Sequence, residues 1–175
     1  PHQLNVLCRR NAALLYNLLF RASAEAMLQL AADPKHLGAE IGFLSILHTW
    51  GQNLMLHPHV HCVVPAGGFA PDHQRWVHPQ YAFFLPVKVL GRIFRRRFVK
   101  GLRQAYHHNQ LVFGGKTAPL AQTERFQSFI NSLFEQNWVV YAKPAFGGSR
   151  AVLRYLGRYT HRVAIANRRI LGVDV

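Results

Sequence analysis

The stretch His57-Pro58-His59-Val60-His61-Cys62-Val63-Val64-Pro65-Ala66-Gly67-Gly68 is the one the rest of the chain is organised around. Histidine alternates with apolar residues and then runs into Val63-Val64 and a Gly-Gly turn. That is the pattern of a β-strand, in which side chains two apart share a face. His59 and His61 are therefore expected to point the same way, roughly 7 Å apart along the strand. Two imidazoles at that spacing can converge on one ion. Val60 and Cys62 are expected to face the core. One histidine on a strand reads as an ordinary polar residue, whereas histidines at three alternate positions point to a metal site.

Working outward, Phe43-Leu44-Ser45-Ile46-Leu47-His48-Thr49-Trp50 also alternates, and Gly51-Gln52-Asn53 turns the chain toward the histidine strand. Two adjacent antiparallel strands are the expected result. Beyond the Gly-Gly turn, Arg75-Trp76-Val77 through Leu85 is expected to pair back onto the same sheet. His73 and His78, near Asp72 and Pro79, are assigned to the surface. Toward the N-terminus, Leu4 to Ala32 reads as one packing helix ended by Asp33-Pro34. Toward the C-terminus, Pro86 fits the first turn of a helix running from Val87 to about His108. Leu90, Phe94, Phe98 and Leu102 form its apolar face, and Arg92, Arg95, Arg96, Arg97, Lys100 and Arg103 surround the rest. A solvated basic face and phosphate contact are both open readings of so many cations without an acid. His107-His108 suit the negative end of the helix dipole better than a metal.

Gly114-Gly115-Lys116-Thr117 lacks the earlier glycine of a phosphate-binding loop and its strand-to-helix setting, so no nucleotide cofactor is expected. Ala121 to Gln136 reads as an amphipathic helix and Asn137 to Ala142 as the next strand. Ser149 is placed to cap a further helix, Thr160 to Ala166 reads as a strand, and Asn167-Arg168-Arg169 as a basic turn.

A length of 175 residues suits one domain with its own core. Residues 1–35 are read as a helical N-terminal part and 41–175 as the functional core. Lysine and arginine number 21 against seven acids, a formal charge of +14, so a polyanion is the expected partner. No membrane partner is expected: the apolar run Ala12 to Phe20 is short and bracketed by Arg9, Arg10 and Arg21. Cys8 and Cys62 give neither a disulfide framework nor zinc-finger spacing, which places the chain in a reducing cytoplasm. Opening on Pro1 and stopping at Gly172-Val173-Asp174-Val175, the chain is expected to be truncated at both ends, the catalytic core of something longer.

The stretch Val152-Leu153-Arg154-Tyr155-Leu156-Gly157-Arg158-Tyr159-Thr160-His161-Arg162 adds the second half of the argument. Tyr155 and Tyr159, four apart, share a helix face. Tyrosines at this spacing, taken alone, more often form a core edge with satisfied hydroxyls. Gly157 between them weakens the helix by about 1 kcal/mol relative to alanine, for close approach of backbone or DNA or for plain packing. A histidine pair on a strand followed by tyrosines on a later helix resembles the HUH endonuclease superfamily (His, hydrophobe, His), and Tyr-x-x-x-Tyr resembles its two-tyrosine branch. Four motifs in order carry a closer likeness: His48-Thr49-Trp50-Gly51-Gln52, His57-Pro58-His59-Val60-His61, Trp138-Val139-Val140-Tyr141-Ala142-Lys143-Pro144 and Tyr155-Leu156-Gly157-Arg158-Tyr159-Thr160-His161-Arg162. They are similar to the rolling-circle transposases of the insertion-sequence-91 type, from about Ile41 onward.

The resemblance implies an α/β (α+β) fold with a mainly antiparallel central sheet flanked by helices. It implies a transposase that nicks and rejoins single-stranded DNA, or a hairpin at transposon ends, in the bacterial cytoplasm at the nucleoid. Tyr155 and Tyr159 would be the catalytic nucleophiles, each forming a 5′-phosphotyrosine. A divalent metal, Mg²⁺ or Mn²⁺, on His59 and His61 would polarise the phosphate. Gln52 is the expected third ligand by its spacing ahead of His59, with His57 next and His48 and His161 after it. An amide and two imidazoles carry no negative charge and should hold Mg²⁺ weakly. DNA contacts are expected from Arg92, Arg95, Arg96, Lys100, Arg103, Lys143, Arg154 and Arg158. A replication initiator or relaxase with the same chemistry, a DNA-binding relic that does not cut, and a metal-dependent hydrolase stand as alternatives.

Overall fold

Leucines at three- and four-residue spacing build the N-terminal part, as two helices rather than the single one expected: α1 (Gln3–Arg10) and α2 (Ala12–Ala32). The computed structural model describes residues 3–51, 55–80, 84–143 and 147–160, the side chains of 149 and 158–160 aside. The break falls on the buried Asn11. Its Nδ2 donates to the carbonyls of Leu7 (3.0 Å) and Val112 (2.9 Å), and its Oδ1 accepts from the Val112 N–H at 2.7 Å. An amide using both its ends in this way sets the local backbone, at φ −126° and ψ 37° instead of helical values.

Helix α3 (Val87–His107) crosses α2 at Gly101, where a Cβ would collide with Leu18. Helix α4 (Thr123–Glu135) closes the main core, in which Leu7, Leu15, Phe98, Leu102, Ile130 and Leu133 are buried together. A second cluster, with Met27, Leu30, Leu37, Ile41 and Leu85, lies at the far end of α2. It anchors the histidine strand, because Phe43 and Cys62 pack against it.

The expected hairpin is present: β1 (Leu44–Trp50) and β2 (Leu56–Val63) pair antiparallel, with His48 opposite His59 and Ile46 opposite His61. The ladder is irregular between His48 and Trp50. Cys62 faces the second cluster as expected, while Val60 is only half-buried. Among the described residues, the segment expected to pair back onto this sheet does not. Strand β4 (Trp76–Val77) pairs instead with β3 (Gly68–Phe69), and Phe69 bridges to Glu40. The cause is the turn at Gly67, whose φ of +136° suits glycine and swings the chain toward Glu40.

Residues 137–142, expected to be the next strand, form no ladder among the described residues. The Trp138 indole N–H donates to the Leu133 carbonyl (2.9 Å) and its ring lies 5.3 Å from both Phe94 and Phe98, so the segment follows α3 instead of a strand. Helix α5 (Ser149–Thr160) carries both tyrosines and includes Thr160, where a strand was expected to begin. Residues 161–166 of that expected strand and the basic turn at 167–169 lie outside the described residues, as do Gln52 and His161.

Gly115–Ala121 is a 3-10 helix in which the buried Thr117 hydroxyl donates to the Gly114 carbonyl, inconsistent with a phosphate loop. The architecture is thus α+β, helices with two short antiparallel ribbons; the central sheet has two strands among the described residues. No helix among these residues is long and apolar enough to cross a membrane.

Candidate active site

Alternation along β2 puts His57, His59 and His61 on one face, and the register adds His48, because directly opposed residues of an antiparallel pair share a face. The ligand-capable atoms of His48, His59 and His61 all lie within 4.8 Å of one another. Their rings are half-buried, and His48 stands edge-on to His61 with centroids 4.6 Å apart. The Nε2 atoms of His59 and His61 are 2.9 Å apart. Adjacent ligands on an octahedral ion with bonds near 2.1 Å are separated by about 3 Å, so this donor set fits a divalent cation.

With both imidazoles neutral, the hydrogen-bond contacts assign the ring protons. His59 Nδ1 lies 2.6 Å from the His57 carbonyl oxygen, which can only accept, so Nδ1 holds the proton and Nε2 a lone pair. His61 Nε2 then donates to His59, and His61 Nδ1 accepts from the Tyr155 hydroxyl at 3.1 Å. His61 is neutral near pH 7: burial, then the charges of His59, His48 and Lys143, push its pKa from 6.5 down to about 4.

Tyr155 comes from α5 and is half-buried, its ring centroid 6.4 Å from that of His61. The late helix and the histidine strand therefore meet, as the sequence led one to expect. Tyr159 follows one turn along the same helix. At Gly157 a Cβ would meet nothing within 4 Å, so among the described residues packing gives no reason for this glycine. His59, His61, Tyr155, Trp138, Tyr141 and Lys143 are among the residues lining a cleft of about 1490 Å³.

The family described as "Putative transposase" (Y2_Tnp) matches residues 42–175. The chain belongs to this family. It is 50% identical over 174 residues, 99% of this chain, to "Putative transposase y4qJ" of Sinorhizobium fredii (strain NBRC 101917 / NGR234), of which it covers 44%. It is 27% identical over 159 residues, 89% of this chain, to "Transposase for insertion sequence element IS801" of Pseudomonas savastanoi pv. phaseolicola, of which it covers 36%. The chain thus spans less than half the length of these relatives. No solved structure matches it. The likeness read from the four motifs is borne out at the level of the transposase family.

In this transposase-family chain the histidine cluster contains a third imidazole, His48, which the sequence placed behind Gln52 and His57 as a candidate ligand. His48 follows from strand parity once the hairpin register is known, and His57, ranked above it, is exposed and supplies its carbonyl to His59. On α3, Arg92, Arg96 and Lys100 are exposed and Arg103 is half-buried. Arg95 is committed to α4: its Nη1 donates to the Phe134 carbonyl at 2.8 Å, and its guanidinium lies 5.1 Å over the Phe134 ring. Arg97 pairs with Glu25 at 3.2 Å. Lys143 and Arg154 are exposed, and Arg158 lies on α5 with its side chain outside the described set. His73 and His78 are exposed, as assigned.

Proposed function

We propose that this chain is the catalytic core of a rolling-circle transposase, which nicks and rejoins single-stranded DNA through Tyr155 and Tyr159. His48, His59 and His61 would hold the divalent cation, Mg²⁺ or Mn²⁺. One observation carries the reading: the His61 ring reaches His59 with one nitrogen and the Tyr155 hydroxyl with the other.

A bound cation would supply the charge that polarises the scissile phosphate. His59, with Nδ1 held by the His57 carbonyl, would present its Nε2 lone pair to such a cation. His61 would hold it through Nε2 as well, with its ring proton on Nδ1. The bond to Tyr155 reverses: Nδ1–H donates to the phenol oxygen and favours its ionised form. Tyr155 Oη forms a bond to phosphorus as the bond from phosphorus to the 3′-oxygen breaks. The phenol proton passes to solvent, and the 3′-oxygen takes one up. The strand's 5′-phosphate stays on the tyrosine, which keeps the bond energy for rejoining. Tyr159 supplies a second nucleophile, so that one strand end is held while another is cut. Exposed Lys143 and Arg154 meet flanking phosphates, and Arg92, Arg96 and Lys100 extend the basic track.

The test is incubation with end-labelled single-stranded DNA and Mn²⁺, followed by boiling in detergent. A covalent adduct is expected from the wild type and none from Tyr155→Phe combined with Tyr159→Phe. An adduct surviving both changes places the nucleophile elsewhere, and cleavage without any adduct identifies a hydrolase that activates water.

A further inference from the structure

Residues 137–143 carry no regular secondary structure, and their side chains are unequally buried. Trp138 and Val140 are held down, Trp138 by Phe94, Phe98 and the Leu133 carbonyl, and Val140 beside Gly91, its Cγ2 3.6 Å from where a Cβ there would sit, whereas Ala142 is exposed. The odd residues turn outward: Val139 is 86% exposed, Tyr141 79% exposed, and Lys143 exposed as well. All three line the cleft that also contains His59, His61 and Tyr155. Lys143 is near enough for its charge to oppose protonation of His61.

An aromatic ring this exposed contributes little to the core, since its apolar faces remain in water. Its surroundings have one sign. No acid stands between Glu135 and Asp174, and Arg150 and Arg154 are exposed on the helix that follows. A flat apolar face beside an ammonium, within a basic cleft, suits a ligand that is itself flat and apolar on one side and anionic on the other.

We propose that Tyr141 is a stacking platform for an unpaired nucleobase next to the scissile phosphate, with Lys143 meeting the phosphate attached to that base. Single-stranded DNA is the occupant that satisfies both residues. Duplex pairing would hide the base faces, and an uncharged peptide would leave Lys143 and the arginines uncompensated. The inference rests on reading the cleft as a DNA-cutting site, but not on which group cuts.

The experiment measures binding by fluorescence anisotropy in metal-free buffer, using the full-length protein. Two oligonucleotides of equal length serve as probes, one ordinary and one carrying abasic sugars. Tyr141→Ala is expected to weaken binding of the ordinary strand about tenfold, to leave the abasic strand unchanged, and to be rescued by Tyr141→Trp. Equal loss on both strands, or no loss on either, overturns the proposal. Adduct formation by the wild type is scored alongside. Its failure with the base-dependent loss intact sinks the tyrosine chemistry alone, and the opposite result sinks the stacking platform alone.

Discussion

Deleting the imidazole of His48 separates two ways of completing the metal centre. Three imidazoles have ligand atoms within 4.8 Å of one another, whereas the sequence argument favoured Gln52. If a micromolar site, about 8 kcal/mol, is shared evenly by three imidazoles, each carries about 2.7 kcal/mol, and losing one raises Kd about 100-fold. His48→Ala is therefore expected to weaken Mn²⁺ binding by about two orders of magnitude. Gln52→Ala should change it by less than about threefold, well under 1 kcal/mol. The assay is a Mn²⁺ titration followed by the paramagnetic resonance of the free ion, with thermal melting of each variant to show that it is folded. Wild-type affinity in His48→Ala together with a large loss in Gln52→Ala would refute the three-imidazole centre. So would a wild-type protein that binds no Mn²⁺.

Two further expectations concern the fold and its response to acid. Asn11→Ala removes the side-chain bonds to Leu7 and Val112, and is expected to cost about 2 to 3 kcal/mol in urea denaturation; a loss under about 0.5 kcal/mol, below the typical worth of one hydrogen bond, would mean that the kink does not depend on this amide. His61 in the folded chain takes up a proton only near pH 4, against 6.5 for the unconstrained group, so the unfolded chain binds the proton first. Stability should accordingly fall as pH drops from about 6.5 to about 4. Denaturation midpoints measured across that range should decline less steeply in His61→Phe, and an unchanged slope would count against the assignment.

How much of this was legible depends on how local the signal is. The histidine strand could be read directly, because a period of two is written into neighbouring residues. The place of His48 in the cluster could not, since it depends on the register of β1 against β2 and on the irregularity between His48 and Trp50. Asn137 to Ala142 shows the converse: the segment reads as a strand, yet it forms no ladder among the described residues, because residue types say nothing about hydrogen-bond partners. The kink at Asn11 was invisible because its cause lies 101 residues away at Val112. Among the arginines of α3, charge alone did not distinguish Arg95, which holds the end of α4, or Arg97, which pairs with Glu25, from their exposed neighbours.

The ring of His61 serves two neighbours at once, and its two nitrogens do not act independently. Whatever is bound at one decides whether the other offers or receives a proton, so on the proposed reading ion affinity and the state of Tyr155 would be reciprocally linked. A phenylalanine introduced to freeze the reaction and capture DNA in place would also take away the oxygen that Nδ1–H needs. Under the proposed mechanism, such a trapped complex would under-report metal occupancy relative to the unmodified chain.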